Sequence, residues 1–163
     1  MICSIELWFR YLAFVIRCLS HGTSPFTIFG KEALGRALFS GHVKIKASGA
    51  KLFPNAFLIN SKSESGISVS RISLAPIRLF GLLGAKAAGR RSIKFYGFAE
   101  FNAEALSGIT LDDGYKLLVE GAPTLENPFH ADIPLPADRG KDYYVFVATE
   151  FIKCARFKSV DTL

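Results

Sequence analysis

The first long pattern along the chain is an apolar run from Ile2 to Leu19, interrupted at Glu6, Arg10 and Arg17. The three charges are spaced i, i+4 and i+11, so a helix gathers them into one narrow stripe. Trp8, Leu12, Val15 and Leu19 then share another face. This spacing predicts an amphipathic helix over 2–19. A membrane span wants about 20 residues with few or no charges, which argues against spanning here. Arg17 lies late in the run and no small-residue cleavage site follows, so a secretion signal does not fit either. The helix is expected to pack on its own domain or on a partner, with a membrane interface as the alternative.

Beyond a turn-rich link at 21–27, Ala33, Leu34, Ala37 and Leu38 recur as on one side of a helix, and Gly41 closes it, predicting a helix over 31–39. His42 to Ala47 alternates with period two and predicts a strand. A loop around Pro54 precedes a short apolar strand at 56–59, and a polar turn covers 61–66. Residues 67–73 alternate again, with Ile67, Val69 and Arg71 on one side and Ser68, Ser70 and Ile72 on the other. Pro76 and Gly89 bracket a helix over 75–88 that Gly81 and Gly84 weaken. The clearest strand is 92–101, with Lys94, Tyr96, Phe98 and Glu100 on one face. A helical turn at 102–106 follows, then a turn at Asp112-Asp113-Gly114 and strands at 115–120 and 128–133. A proline-containing loop leads into a helix over 143–157, where 143–149 also reads as a strand. The elements predict an α+β fold: a single domain with a mainly antiparallel sheet and flanking helices over 21–163, and a helical N-terminal extension over 1–20.

Composition sharpens this picture. Half of the 163 residues are apolar and 21% are charged, which excludes a disordered chain and a disulfide miniprotein. The net charge of +6 is unevenly placed: residues 1–98 hold 14 Lys/Arg against 3 Asp/Glu, and residues 99–163 hold 6 against 11. A basic half can face RNA or DNA. The plainer alternative is that the two halves pair with each other in one fold. Cys3, Cys18 and Cys154 are odd in number and form no C-x-x-C, so reduced thiols and a cytoplasmic location are expected. No metal-ligand spacing, P-loop or nucleophile elbow occurs, so neither a metal nor a cofactor is expected.

Two groups of residues carry candidate chemistry. His130 and Asp132 lie two apart on a predicted strand and share a face. A carboxylate beside an imidazole orients it for acid–base work, and Arg71 is a candidate cation for a charged phosphoryl transition state. The structural alternative pairs Arg71 with Asp132 to tie two strands together, with His130 capping the turn at Asn127-Pro128. The second group is basic. His42, Lys44 and Lys46 share one face of a strand, where lysines either track a phosphate backbone or protect a sheet edge. Arg90, Arg91 and Lys94, with Lys86 nearby, form the densest basic cluster. Tyr96 and Phe98 share the Lys94 face, an interleaving that can stack bases.

Five stretches stand in order: Leu34-Gly-Arg-Ala-Leu-Phe-Ser, Phe53-Pro-Asn-Ala-Phe-Leu, Ile67-Ser-Val-Ser-Arg, Phe95-Tyr-Gly-Phe-Ala and Asn127-Pro-Phe-His-Ala-Asp-Ile. With them the chain resembles a group of small uncharacterised bacterial proteins with the running pattern "AF…SV-x-R…YG-x-A…NP-x-HA-x-I". The resemblance covers roughly residues 31–157, singles out Arg71 and His130, and implies no activity. Where that group often carries Trp-Pro, this chain has Leu135-Pro136. The reading is a small bacterial toxin- or defence-type protein that binds RNA or DNA through its basic N-terminal half. His130, Arg71 and Asp132 are its candidates for phosphodiester chemistry. The alternative is a non-catalytic interaction subunit that docks on a protein partner or a second copy through residues 2–19.

Overall fold

In the computed structural model, which describes residues 2–59, 66–109, 111, 114–137 and 139–159, the chain opens with α1 (Ile2–Ser20). Strand β1 (Ala33–Phe39) follows, then the hairpin β2 (Val43–Lys46) and β3 (Gly49–Leu52) and a 3-10 turn at Pro54–Ala56. Next come β4 (Gly66–Arg71), α2 (Ile77–Arg90), β5 (Phe95–Asn102) and α3 (Ala103–Ser107). The chain ends in β6 (Glu120–Gly121), β7 (His130–Pro134), α4 (Lys141–Cys154) and β8 (Arg156–Ser159). Six strands form one sheet in the order β6-β7-β4-β1-β5-β8, and every neighbouring pair is antiparallel. The fold is α+β in one domain. The predicted turns at 61–66 and at Asp112-Asp113 fall largely outside the described residues.

Alternation along the strands sorts the side chains into two layers. Leu34 and Leu38, Ile67 and Val69, Ala99 and Phe101, and Ala131 and Ile133 all join the larger core. There α4 covers them through Tyr144, Val147, Ala148 and Phe151, with Phe57 alongside. The opposite layer is smaller. Leu7 and Tyr11 from α1 and Leu79 and Phe80 from α2 meet Ile72, Phe98 and Phe129. Gly35 is what lets this layer close on β1, because a Cβ there would stand 2.8 Å from Ile72 and 3.3 Å from Phe98.

Several expectations are corrected. Residues 33–39 are a strand, not a helix. Leu34 and Leu38, four apart, share a face in either conformation, and pairing with β4 and β5 on both sides decides between the two. Residues 49–52 pair with β2 as a strand, whereas 56–59 do not; Ala56, Phe57 and Ile59 enter the core from a turn. The predicted strand at 115–120 shrinks to Glu120–Gly121. The last helix stops at Cys154, and Ala155 turns extended so that Arg156–Ser159 pairs with β5. Gly97, at φ 133°, makes a bulge opposite Leu38–Phe39, and this breaks the expected alternation of β5. Phe98 is therefore buried in the smaller core and does not join Lys94 and Tyr96.

The N-terminal helix packs on the domain through Leu7, Tyr11 and Cys18, and Trp8 Nε1 donates to the Leu125 carbonyl at 2.9 Å. Among the described residues no helix is long and apolar enough to cross a membrane. Cys18 and Cys154 are free thiols.

Candidate functional site

The open part of the smaller layer starts from a defect in the sheet. Strands β1 and β5 hold seven register pairs, but β1 and β4 hold two, Leu34 with Arg71 and Gly35 with Ser70. Past that point the two strands splay. Carbonyls facing the gap need donors, and Arg36 supplies them: Nε donates to Ala56 O at 3.2 Å and Nη1 to Ser68 O at 2.8 Å. Over the splay lies a concavity of about 260 Å³, lined by Arg36, Phe39, His42, Ser68, Ser70, Arg91 and His130 among others.

The Asn127-Pro-Phe-His stretch aims its histidine into this concavity. Asn127 Oδ1 accepts the Phe129 N–H at 3.2 Å, the Asn127 carbonyl accepts the His130 N–H at 3.0 Å, and Phe129 is fully buried against Tyr11 and Phe80. Asn127 Nδ2 also donates to Ser70 Oγ at 2.9 Å, which ties the turn to β4. From there β7 runs beside β4 with His130 opposite Ser70 and Asp132 opposite Ser68. His130 Nδ1 lies 2.8 Å from the Ala122 carbonyl, which can only accept, so Nδ1 carries the proton. Nε2 is then the atom that faces Asp132 Oδ1, at 3.6 Å. The same carboxylate oxygen accepts from Ser68 Oγ at 3.2 Å.

The structure brings His130 and Asp132 together, as period two predicts, and places Arg71 elsewhere. Arg71 is 2% exposed and its partner is Glu32, not Asp132. Nε and Nη2 both donate to the Glu32 carboxylate. Nη1 donates to Pro25 O at 2.6 Å, Nη2 also donates to Thr27 O at 3.0 Å, and the guanidinium stacks on Phe14. Arg71 is thus the clamp that holds the 21–32 link against β4. The arginines that line the same concavity as His130 are Arg36 and Arg91. Arg36 escaped sequence reasoning because its segment read as a helix; read as a strand, it falls opposite β4.

Of the predicted basic residues, His42 and Arg91 line this concavity. Arg91 lies over the Phe39 ring at 5.7 Å, and His42 Nδ1 accepts the Phe39 N–H at 3.3 Å. Burial first, and then the charge of Arg36, hold the His42 imidazole below its usual range. A second concavity of about 530 Å³ lies between the β2–β3 hairpin and β5, and Lys46, Lys94, Tyr96 and Phe157 help to line it. Lys94 Nζ stands 4.9 Å above the Tyr96 ring. Phe39 of the first hollow and Phe95 of the second stand with their ring centroids 5.9 Å apart. Lys44 projects from the hairpin outside both, opposite Lys51. Arg90 is drawn away by Glu126, at 2.7 Å, and Lys86 joins the same carboxylate at 3.1 Å. Among the described residues neither hollow is lined by a carboxylate, and no group of three or more His, Cys, Asp or Glu is placed to hold a metal. No family model, no curated protein and no solved structure matches the chain.

Proposed function

We propose that the protein binds single-stranded RNA or DNA along the two neighbouring basic hollows. The observation that carries this reading is their lining. Lys46 and Lys94 on one side and His42 and Arg91 on the other line hollows that include no carboxylate among the described residues. A strand of phosphates gains from each such cation by releasing counterions. Tyr96 and Phe39 offer ring faces beside the charges, the pairing that single-strand binders use for bases. A duplex has its bases stacked inward and gains nothing from these rings.

Arg36 contributes charge more than contacts, since its donors already stitch the splayed strands. His130 Nε2 faces Asp132 with Ser68 beside it, and in this reading Arg91 takes the role that sequence reasoning gave to Arg71. Phosphodiester cleavage at His130 is therefore read in the same experiment.

Labelled single- and double-stranded RNA and DNA are incubated with the protein at two salt concentrations, and retention and cleavage are recorded. The three fixed cations Lys46, Lys94 and Arg91 predict a log–log salt slope of about −2 on single strands. The double variant Lys46→Glu/Lys94→Glu, both positions exposed, should weaken retention by more than about tenfold while leaving the melting temperature in place. Absence of retention at low salt, or retention indifferent to the charge reversal, overturns the reading. Cleavage that disappears in His130→Ala makes the protein a nuclease, and retention without cleavage makes it a binding module.

A further inference from the structure

His130 and Asp132 set two acceptor atoms side by side on the open half of the sheet. The Ala122 carbonyl takes the Nδ1 proton at 2.8 Å, so the neutral imidazole presents Nε2 as an acceptor. Asp132 Oδ1 lies 3.6 Å from it, beyond hydrogen-bond reach. Among the described residues Nε2 has no hydrogen-bond partner, and Oδ1 has one, the Ser68 hydroxyl at 3.2 Å. A carboxylate oxygen that holds one donor can accept another. Both groups are fixed in place: Ala122, just past β6, holds the ring, and Ser68, opposite Asp132 on β4, holds the carboxylate. On its other side Asp132 stands opposite Glu120 of β6. Two carboxylates on adjacent strands repel a phosphate from this spot and favour a group that brings donors.

We propose that this pair reads a guanine of a single strand by the Watson–Crick edge of the base. The inference rests on the strand-binding reading above and names the base that the site selects. Guanine offers two neighbouring and nearly parallel donors, N1–H and N2–H. Acceptors 3.6 Å apart receive such a fork with only a slight opening of the two bonds. Adenine and cytosine each place an acceptor beside their amino group. Uracil and thymine flank a single N–H with two carbonyls. Each of these bases would set an acceptor against Nε2 or Oδ1, which leaves both unpaired. A ribose 2′-hydroxyl carries one proton and serves only one of the two atoms. With N2–H on Asp132 and N1–H on His130, the O6 acceptor falls toward the hollow, whose lining includes Arg91. In a duplex this edge is already paired with cytosine, so the base must come from an unpaired stretch.

Short oligouridine strands carrying one central guanosine, inosine or adenosine test it by fluorescence anisotropy. The full chain is used at about pH 8, where an ordinary imidazole is neutral. The guanosine strand should bind about tenfold more tightly than the adenosine strand, and also than the inosine strand, which lacks only the N2 amino group. In Asp132→Asn, whose amide can donate to Nε2, and in His130→Ala, the three strands should bind alike. Equal affinity of the wild type for the guanosine and inosine strands overturns the proposal and leaves strand binding standing. So does a guanosine preference that survives Asp132→Asn. No binding of any strand overturns both the proposal and the reading beneath it. Guanosine monophosphate alone should bind at least about tenfold more weakly than the guanosine strand, because it lacks the neighbouring phosphates. Equal affinity would assign the pair to a free nucleotide and overturn its role on a strand.

Discussion

The two faces of the sheet are treated differently by the same strands. Under α4 the sheet presents apolar side chains from β7 to β5, Ala131 and Ile133, Ile67 and Val69, Leu34 and Leu38, Ala99 and Phe101, with Arg36 between Leu34 and Leu38 reaching the Ala56 carbonyl. On the other side α1 and α2 cover the β1–β5 end, while β4 and β7 present Ser68, Ser70, His130 and Asp132. Burying these groups beneath a third helix would strand polar atoms; left open, Ser68, Ser70 and His130 line a polar hollow with Arg91 and His42, and Asp132 stands beside it. Apolar burial is thus concentrated on one face, and polar side chains on the uncovered half of the other. Substitutions on the two faces should separate cleanly.

The largest effects belong to the covered face and its clamp. Phe151 is fully buried, stacked on Phe57 at 5.1 Å and edge-on to Phe101 at 5.6 Å. Phe151→Ala should cost about 3–5 kcal/mol in denaturant unfolding, because the ring leaves a cavity that three elements border. Arg71→Ala should cost a similar amount, about 3–5 kcal/mol, since it leaves the Glu32 carboxylate buried without its cation. A fully folded Arg71→Ala protein that has lost nucleic-acid retention would return Arg71 to the site and break the comparison.

These two residues also show what was legible beforehand. The strands at 67–73, 92–101 and 128–133 and the helices at 2–19 and 75–88 carry patterns strong enough to survive folding with shifts at their ends. The pairing of His130 with Asp132 follows from period two, because both lie on one strand. Arg71 was legible as an isolated charge in an alternating strand, but its partner lies 39 residues away in a link with no regular structure. Local spacing holds no information about such a pair. The β1 segment failed for another reason: Ala, Leu and Arg favour helices, and a four-residue repeat fits both periods. Missing β1 hid Arg36, and with it the splay that makes the hollow. The short β8 was lost to the tail of α4, where the sheet edge competes with continued helix.

On the open face the expected order reverses: small effects on folding and large ones on ligand. His130→Ala removes one hydrogen bond, to the Ala122 carbonyl, from a side chain that is 19% exposed. It should cost about 1 kcal/mol in unfolding while altering retention or cleavage of single strands. A loss as large as that of Phe151→Ala would make His130 a packing residue, and the division between the faces would fail.

The smallest effect is a pH dependence. His42 sits at the rim of the hollow with Nδ1 accepting the Phe39 N–H, so protonation at that nitrogen breaks a hydrogen bond. Burial first and Arg36 second hold its pKa below the ordinary value of about 6.5. The unfolded chain therefore binds a proton more readily than the folded one. The contribution of neutral His42 is fully present above about pH 6.5, declines as the pH falls below that value, and levels off once the folded imidazole has also protonated. Melting temperatures from about pH 7.5 to about pH 5 should fall more for the wild type than for His42→Gln, which cannot titrate. The difference is expected to be small because His42 is only partly buried, and solvent screens the neighbouring arginines. Bound polyanion should reverse the sign, since a phosphate in the hollow favours the imidazolium. A wild-type curve that steepens on adding single-stranded RNA would place the ligand somewhere other than beside His42.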